Sequence, residues 1–272
     1  MINTFDLHEW NKKRYLREAQ GQPKAIILAG APGAGKGYVL SGLDIGDLKV
    51  LNVDNIYIDL LKKANVSLDL KNASPEGRSK AAIAMAQSNK EFKGKVAATI
   101  EGKESFILDG TAASIPQTAK LKNELEEAGY EVFMLYVYTD LERSLKQNQD
   151  RFEKSGGKDR SLMPAIVLKT WNSVTQNHKP YRELFKDNFV SVANTLEDEK
   201  LDNVEDIIAK YLTPFKPKNT KPKTAARQRY ADKQKEKLNK EIKDLLDGGA
   251  EEIINTSVSA DEARATINAF LK

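Results

Sequence analysis

The sequence predicts an α/β protein of three layers, a five-stranded parallel sheet between helices, followed by a helical C-terminal extension. Three features carry this reading. Five short apolar runs, at residues 25–28, 48–53, 105–109, 130–138 and 188–193, alternate with stretches of helical character, the pattern of parallel strands joined by crossover helices. The first run breaks into the glycine-rich segment Gly30-Ala31-Pro32-Gly33-Ala34-Gly35-Lys36-Gly37. Finally, 272 residues give room for one such domain with a sizeable core and an appendage.

Taken in order, residues 5–19 read as an amphipathic helix, with Phe5, Leu7, Trp10 and Leu16 on a buried side and Lys12, Lys13, Arg14 and Arg17 toward solvent. Ala25, Ile26, Ile27 and Leu28 form a run suited to a strand covered on both faces. Gly30, Gly33 and Gly35 then allow successive backbone N–H groups to point into one cavity and hold phosphate oxygens, with Lys36 adding a charge at the start of the next helix. Such a loop after the first strand resembles that of P-loop NTPases, and the resemblance implies their fold, with strand order 2-3-1-4-5. The usual Ser or Thr after the lysine, a Mg2+ ligand, is replaced by Gly37 and followed by Tyr38. The metal must then be held by waters and carboxylates from elsewhere, or be approached by Ser41 one turn on.

The second strand ends on Asp54 and the third on Asp109, both on the ligand edge of an open parallel sheet. Between them come a helix at 56–64 and a long helical stretch within 74–102, which Pro75 and Glu76 fit as a start. A helix at 115–128 closes on Gly129, and the fourth strand leads into a helix from 141 to about 154. A glycine-bearing loop at 155–159, a helix at 162–177 with Trp171, and the fifth strand complete the sheet region. Pro214, Pro217 and Pro222 among lysines make a stiff linker. A charged helix at 224–246 follows, with a thin apolar side of Ala225, Leu238, Ile242, Leu245 and Leu246. Gly248-Gly249 ends it, and Ser259 with Glu262 forms a capping box opening a last helix. The expected division is a core domain at 1–213, a linker at 214–223 and an extension at 224–272.

Composition narrows the chemistry. There are no cysteines, which excludes disulfides and thiolate nucleophiles, and the two histidines, His8 and His178, are expected at the surface rather than in a metal cluster. No apolar run is long enough for a membrane span and the first residues carry no apolar signal core, so a cytoplasmic location is expected. Residues 214–243 hold eleven Lys/Arg and three Asp/Glu, a local +8 within a chain of net +4. That segment reads as a solvated helix, as an electrostatic footprint for nucleic acid, or as a docking helix for a protein partner.

The candidate residues supply the parts that phosphoryl transfer requires. Lys36 charges the cradle, Asp54 stands on the acceptor side, Asp109 near the metal, and Arg143, Arg151 and Arg160 lie where a lid could bring guanidinium groups over the γ-phosphate. Each has a plainer reading: Asp54 as the cap of a helix beginning near Asn55, Asp109 as a turn residue, the arginines as surface ion-pair partners. Trp171, Tyr181 and Phe185 read as core rather than as a base-stacking platform.

The segment GAPGAGKG resembles the phosphate loop of adenylate kinases, and residues 108–121, LDGTAASIPQTAKL, resemble another stretch of that family in Asp-Gly and Ile-Pro-Gln. The arginine that grips the monophosphate there is absent, with Ala112 and Ala113 in its region, and the family's Gly-Asp-x-x-Arg gives way to Val53-Asp54-Asn55-Ile56-Tyr57. An aspartate directly after strand two, with lid arginines, is instead similar to the zeta toxin and polynucleotide kinase group of P-loop kinases. The resemblance covers roughly residues 24–193. It implies ATP and Mg2+ as cofactors and Asp54 as the group that activates a hydroxyl-bearing substrate, be it a polynucleotide, a nucleotide-sugar or a small molecule. It also implies that Asn194 and Thr195 border the adenine. The compact make-up is similar to kinases carried by bacteriophages. The alternative is an ATP-binding NTPase module that controls attachment to nucleic acid or a protein assembly through the basic C-terminal region.

Overall fold

The computed structural model describes residues 21–43, 48–70, 72–157, 159–160, 162–195 and 225–272. The expected helix at 5–19, His8 and the proline-bearing linker lie outside these residues. Strands β1 (Lys24–Ala29), β2 (Lys49–Asn52), β3 (Phe106–Asp109), β4 (Glu131–Thr139) and β5 (Phe189–Asn194) form one sheet in the order β2-β3-β1-β4-β5. Every pairing is parallel, the arrangement expected from the loop and the alternation of elements.

The helices are α1 (Lys36–Ser41), α2 (Val53–Lys63), α3 (Pro75–Glu101), α4 (Ile115–Glu127), α5 (Leu141–Lys154), α6 (Pro164–Gln176), α7 (His178–Phe185), α8 (Ala225–Asp244), α9 (Glu251–Thr256) and α10 (Ala260–Leu271). Side chains of β1 alternate between two cores. Ala25, Ile27 and Ala29 join Met134, Tyr136 and Trp171 on one face, whereas Ile26 and Leu28 join Leu135, Val137 and Val39 on the other. Because both faces are covered, the strand reads as a continuous apolar run rather than an alternating one. Helices α2 and α3, inserted between β2 and β3, share a small cluster of their own that includes Tyr57, Leu61, Val66 and Ala81. Gly129, at φ 86, ends α4 in the left-handed conformation that favours glycine.

The C-terminal helices are built into both cores. Ile242 of α8 and Ile253 of α9 are buried on the first face, and Ala263 and Ile267 of α10 on the second. Val258, just before α10, donates its N–H to the Ser191 carbonyl at 2.8 Å and so touches β5. Ser259 and Glu262 form the capping box read from the sequence. The exposed face of α8 carries Lys233, Lys237 and Lys240 interleaved with Asp232, Glu236 and Asp244.

His178 departs from expectation. It is buried, with its ring edge-on against Tyr136 and Phe189 and its Nε2 3.2 Å from the Ser191 hydroxyl. Burial, with Arg182 nearby, pushes its pKa down to about 4, so the ring is neutral at physiological pH. A polar local sequence hid this, because the apolar surroundings come from distant strands.

Candidate active site

The loop leaving β1 is held by three other elements. The Gly30 N–H donates to the Thr111 carbonyl at 3.2 Å, the Ser144 hydroxyl to the Pro32 carbonyl at 2.6 Å, and the Asn194 amide to the Ala34 carbonyl at 3.0 Å. Gly33 and Gly35 take φ values of 76 and 88. A Cβ at Gly33 would come within 2.8 Å of Gln147, and one at Gly35 would strike the Asn194 amide. Both glycines are therefore required by conformation and by close approach. Gly37 is different: nothing lies within 4 Å of a Cβ there. A hydroxyl-bearing side chain would fit, but the sequence supplies none. Ser41 spends its hydroxyl locally, on the Tyr38 carbonyl at 2.9 Å, and Tyr38 is 66 % exposed beneath the Arg264 guanidinium.

Lys36 folds back over the loop, its Nζ donating to the carbonyls of Gly30 at 2.9 Å and Ala31 at 3.3 Å. Burial lowers its pKa, an effect opposed by the charges of Asp109 and Asp54 and reinforced by Arg151. The same group of residues acts on Asp109: burial raises its pKa, while Lys36 and a hydrogen bond from Asn52 work the other way. Lys36, Asp109, Asp54 and Arg151 thus sit within electrostatic reach of one another at the C-terminal edge of the sheet.

Asn52, which sequence reasoning did not single out, ties this group together. Its Nδ2 donates to Asp109 Oδ2 at 2.6 Å, and its Oδ1 accepts the Asp54 N–H at 2.7 Å. Asn52 is the N-cap of α2, so Asp54 is free of that duty and lies in the first turn. The available signal was an asparagine immediately before a helix start. Its second link follows from register, since Asn52 pairs with Asp109 between β2 and β3.

Arg160 donates from Nη2 to Asp54 Oδ1 at 2.5 Å, and its guanidinium lies 5.4 Å from the Tyr57 ring centroid. Arg151 pairs with Asp159 at 2.5 Å, and the Asp159 carboxylate also accepts the Arg160 N–H at 2.7 Å. Arg160, from the loop after α5, therefore reaches Asp54 directly, while Arg151, from the last turn of α5, is tied to that loop through Asp159. Arg143 goes elsewhere: its Nη1 donates to the Thr195 carbonyl at 3.0 Å, beside Asn194. Trp171, Tyr181 and Phe185 are buried in the first core. Among the described residues no cluster of three or more His, Cys, Asp or Glu could hold a metal on its own. The hard oxygen donors near the loop are those of Asp109 and Asp54, a set suited to a cation whose other ligands are phosphates and waters.

Residues 8–208 match the zeta toxin family model. The chain belongs to the zeta toxin family. Its fold is that of a P-loop kinase, and the family match ends before α8, α9 and α10. The complex of AvrRxo1-ORF1 and AvrRxo1-ORF2 with sulphate ions is similar, with 16 % identity over 94 % of this chain and 83 % of that one and a TM-score of 0.52. The same pair with ATP gives 16 % identity, the same coverage and a TM-score of 0.50. The PezAT toxin–antitoxin system of Streptococcus pneumoniae gives 15 % identity over 90 % of this chain and 94 % of that one, with a TM-score of 0.45. At 16 % identity the likeness to the AvrRxo1 structures is one of fold. No curated protein sequence matches the chain.

Proposed function

We propose that this zeta toxin family member transfers the γ-phosphoryl group of ATP to an acceptor hydroxyl. The observation that carries the reading is the meeting of Lys36, Asp109, Asp54 and Arg160 on one edge of the sheet, two carboxylates and two cations beside a glycine loop. A solved protein of the same fold is a complex with ATP, which supports the choice of donor.

In this reading the loop from Gly30 to Tyr38 cradles the phosphates, Lys36 exchanges the loop carbonyls for phosphate oxygens, and Asn194 borders the nucleotide from the end of β5. Mg2+, when bound, would supply charge neutralisation at the phosphates, and Asp109 is the residue that would hold it, directly or through water. Asp54 accepts the proton of the acceptor hydroxyl or orients it. Arg160, largely buried, pairs with Asp54 before substrate arrives, and on binding its guanidinium exchanges that carboxylate for phosphate oxygen, one charged acceptor for another. That exchange leaves the Asp54 carboxylate open to the hydroxyl. Arg151 adds positive charge as the phosphoryl group moves, and Arg143 acts from the Asn194 side.

The acceptor is a hydroxyl on a polynucleotide, a nucleotide-sugar or a small molecule, presented to Asp54 beside α2. The mixed charges on α8 favour a solvated face over a track for nucleic acid. The test compares wild type with Asp54→Asn and Lys36→Ala, using mass spectrometry of a cell extract for products gaining one phosphate. Asp54→Asn should keep ATP binding while transfer falls about 100-fold or more, and Lys36→Ala should lose both. Unchanged phosphorylation by Asp54→Asn rejects the assignment.

A further inference from the structure

We infer that Arg264, on the last helix of the fold, is a positioning residue for the phosphate loop and sets nucleotide affinity from a segment outside the family match. This rests on the nucleotide reading above.

Helix α1 carries Lys36 and begins at the loop, but it is only six residues long. So short a helix is barely stable by itself. Its N-cap, Gly35, has no side chain to cap with, and its last turn contains no basic residue. The final carbonyls of any helix lack partners within it. Arg264 supplies them from α10: Nη2 donates to the Tyr38 carbonyl at 2.7 Å and Nε to the Val39 carbonyl at 3.1 Å. A cation at this end also complements the helix dipole. Asp261 fixes the guanidinium from its other side at 2.7 Å, and the Tyr38 ring centroid lies 4.9 Å from it. The approach is close enough that a Cβ on Gly42 would run into the guanidinium.

The same helix also grips the strand entering the loop. The Lys24 ammonium donates to the Phe270 carbonyl and lies 5.3 Å from the Phe270 ring centroid, and Phe270 packs on Phe133 with centroids 4.9 Å apart. Ala263 and Ile267 bury the face between these two grips in the core that holds Val39 and Leu43. Helix α10 therefore braces both β1 and α1, the two elements whose junction is the loop. By linkage, ATP binding and the docking of α10 reinforce each other.

The experiment measures ATP affinity of the full chain by titration calorimetry, below the melting temperature of each variant, together with kcat and KM for ATP. Arg264→Ala should raise Kd and KM for ATP by about threefold to tenfold with kcat nearly unchanged. Arg264→Lys, which keeps a charge and a donor, should recover part of that loss. Should Arg264→Ala fail to fold, Arg264→Gln takes its place with the same expectation. The inference is overturned if the folded variant binds ATP as wild type does, if Lys recovers nothing, or if kcat falls while Kd stays constant. Wild type that fails to bind ATP would remove the nucleotide reading and this one with it. Loss of binding in Lys36→Ala but not in Arg264→Ala would remove this one alone.

Discussion

Asn52 occupies one position at the end of β2 and serves two carboxylates at once. Its carbonyl oxygen caps α2 at the Asp54 N–H while its amide nitrogen donates to Asp109. An Asn52→Asp substitution separates these roles, since aspartate caps a helix as well as asparagine does but cannot donate to a carboxylate. The Asp109 pKa already lies above its ordinary value through burial, and the Asn52 hydrogen bond works against that rise. Losing the donor and gaining a neighbouring negative charge should push it further up. With the metal-holding role proposed for Asp109, protonation there would weaken the cation's hold, so the acidic limb of the kcat/KM profile should move to higher pH, with activity at the optimum down about tenfold or more. By linkage the melting temperature should fall at neutral pH and recover as the pH is lowered and the pair of carboxylates takes up a proton. A pH profile superimposable on that of wild type would show that Asn52 does not control Asp109.

The phosphate loop and α1 contain glycines that look alike in sequence and differ in consequence. Gly35, at φ 88, faces the Asn194 amide, whereas Gly37 faces open space. Gly35→Ala should cost about 1–2 kcal/mol in backbone conformation and more in contact with Asn194, seen as a lower melting temperature and weaker ATP binding. Gly37→Ser should leave stability unchanged and place a hydroxyl where other phosphate loops ligate the metal. The measurement is the Mg2+ concentration for half-maximal activity, expected to fall in Gly37→Ser. An increase, or a loss of stability, would show that Gly37 is needed as glycine.

Two cores on opposite faces of one sheet give the fold its stability, and the second is completed from the far end of the chain. Ile267 is fully buried there. Ile267→Ala should cost about 2–5 kcal/mol, read as a shift in the denaturant midpoint with its slope preserved. A neutral result would mean that α10 contributes little to the sheet's second face. This dependence also explains why the basic segment poorly describes the extension: the lysines of α8 face solvent, while a few apolar residues, Ile242, Ile253 and Ile267 among them, do the packing.

What the sequence alone determined was local. Glycines 30, 33 and 35 before Lys36, the apolar runs that lead to Asp54 and Asp109, and the capping pair Ser259 and Glu262 each state their conformation through nearby residues, because turn sterics, strand burial and helix capping act over a few positions. From these the strands and the edge that carries the carboxylates could be read, and the strand order followed from the resemblance to P-loop proteins. Only the tertiary structure decided that Asn52 joins the two carboxylates, that Arg160 meets Asp54 while Arg143 goes to Thr195, that His178 is buried, and that Arg264 holds the phosphate helix. Those contacts join residues far apart in sequence, as with Arg264 and Tyr38, 226 positions apart. Hydrogen bonds and desolvation depend on distance in space, and side-chain type does not specify which distant partner the packing of the sheet brings near.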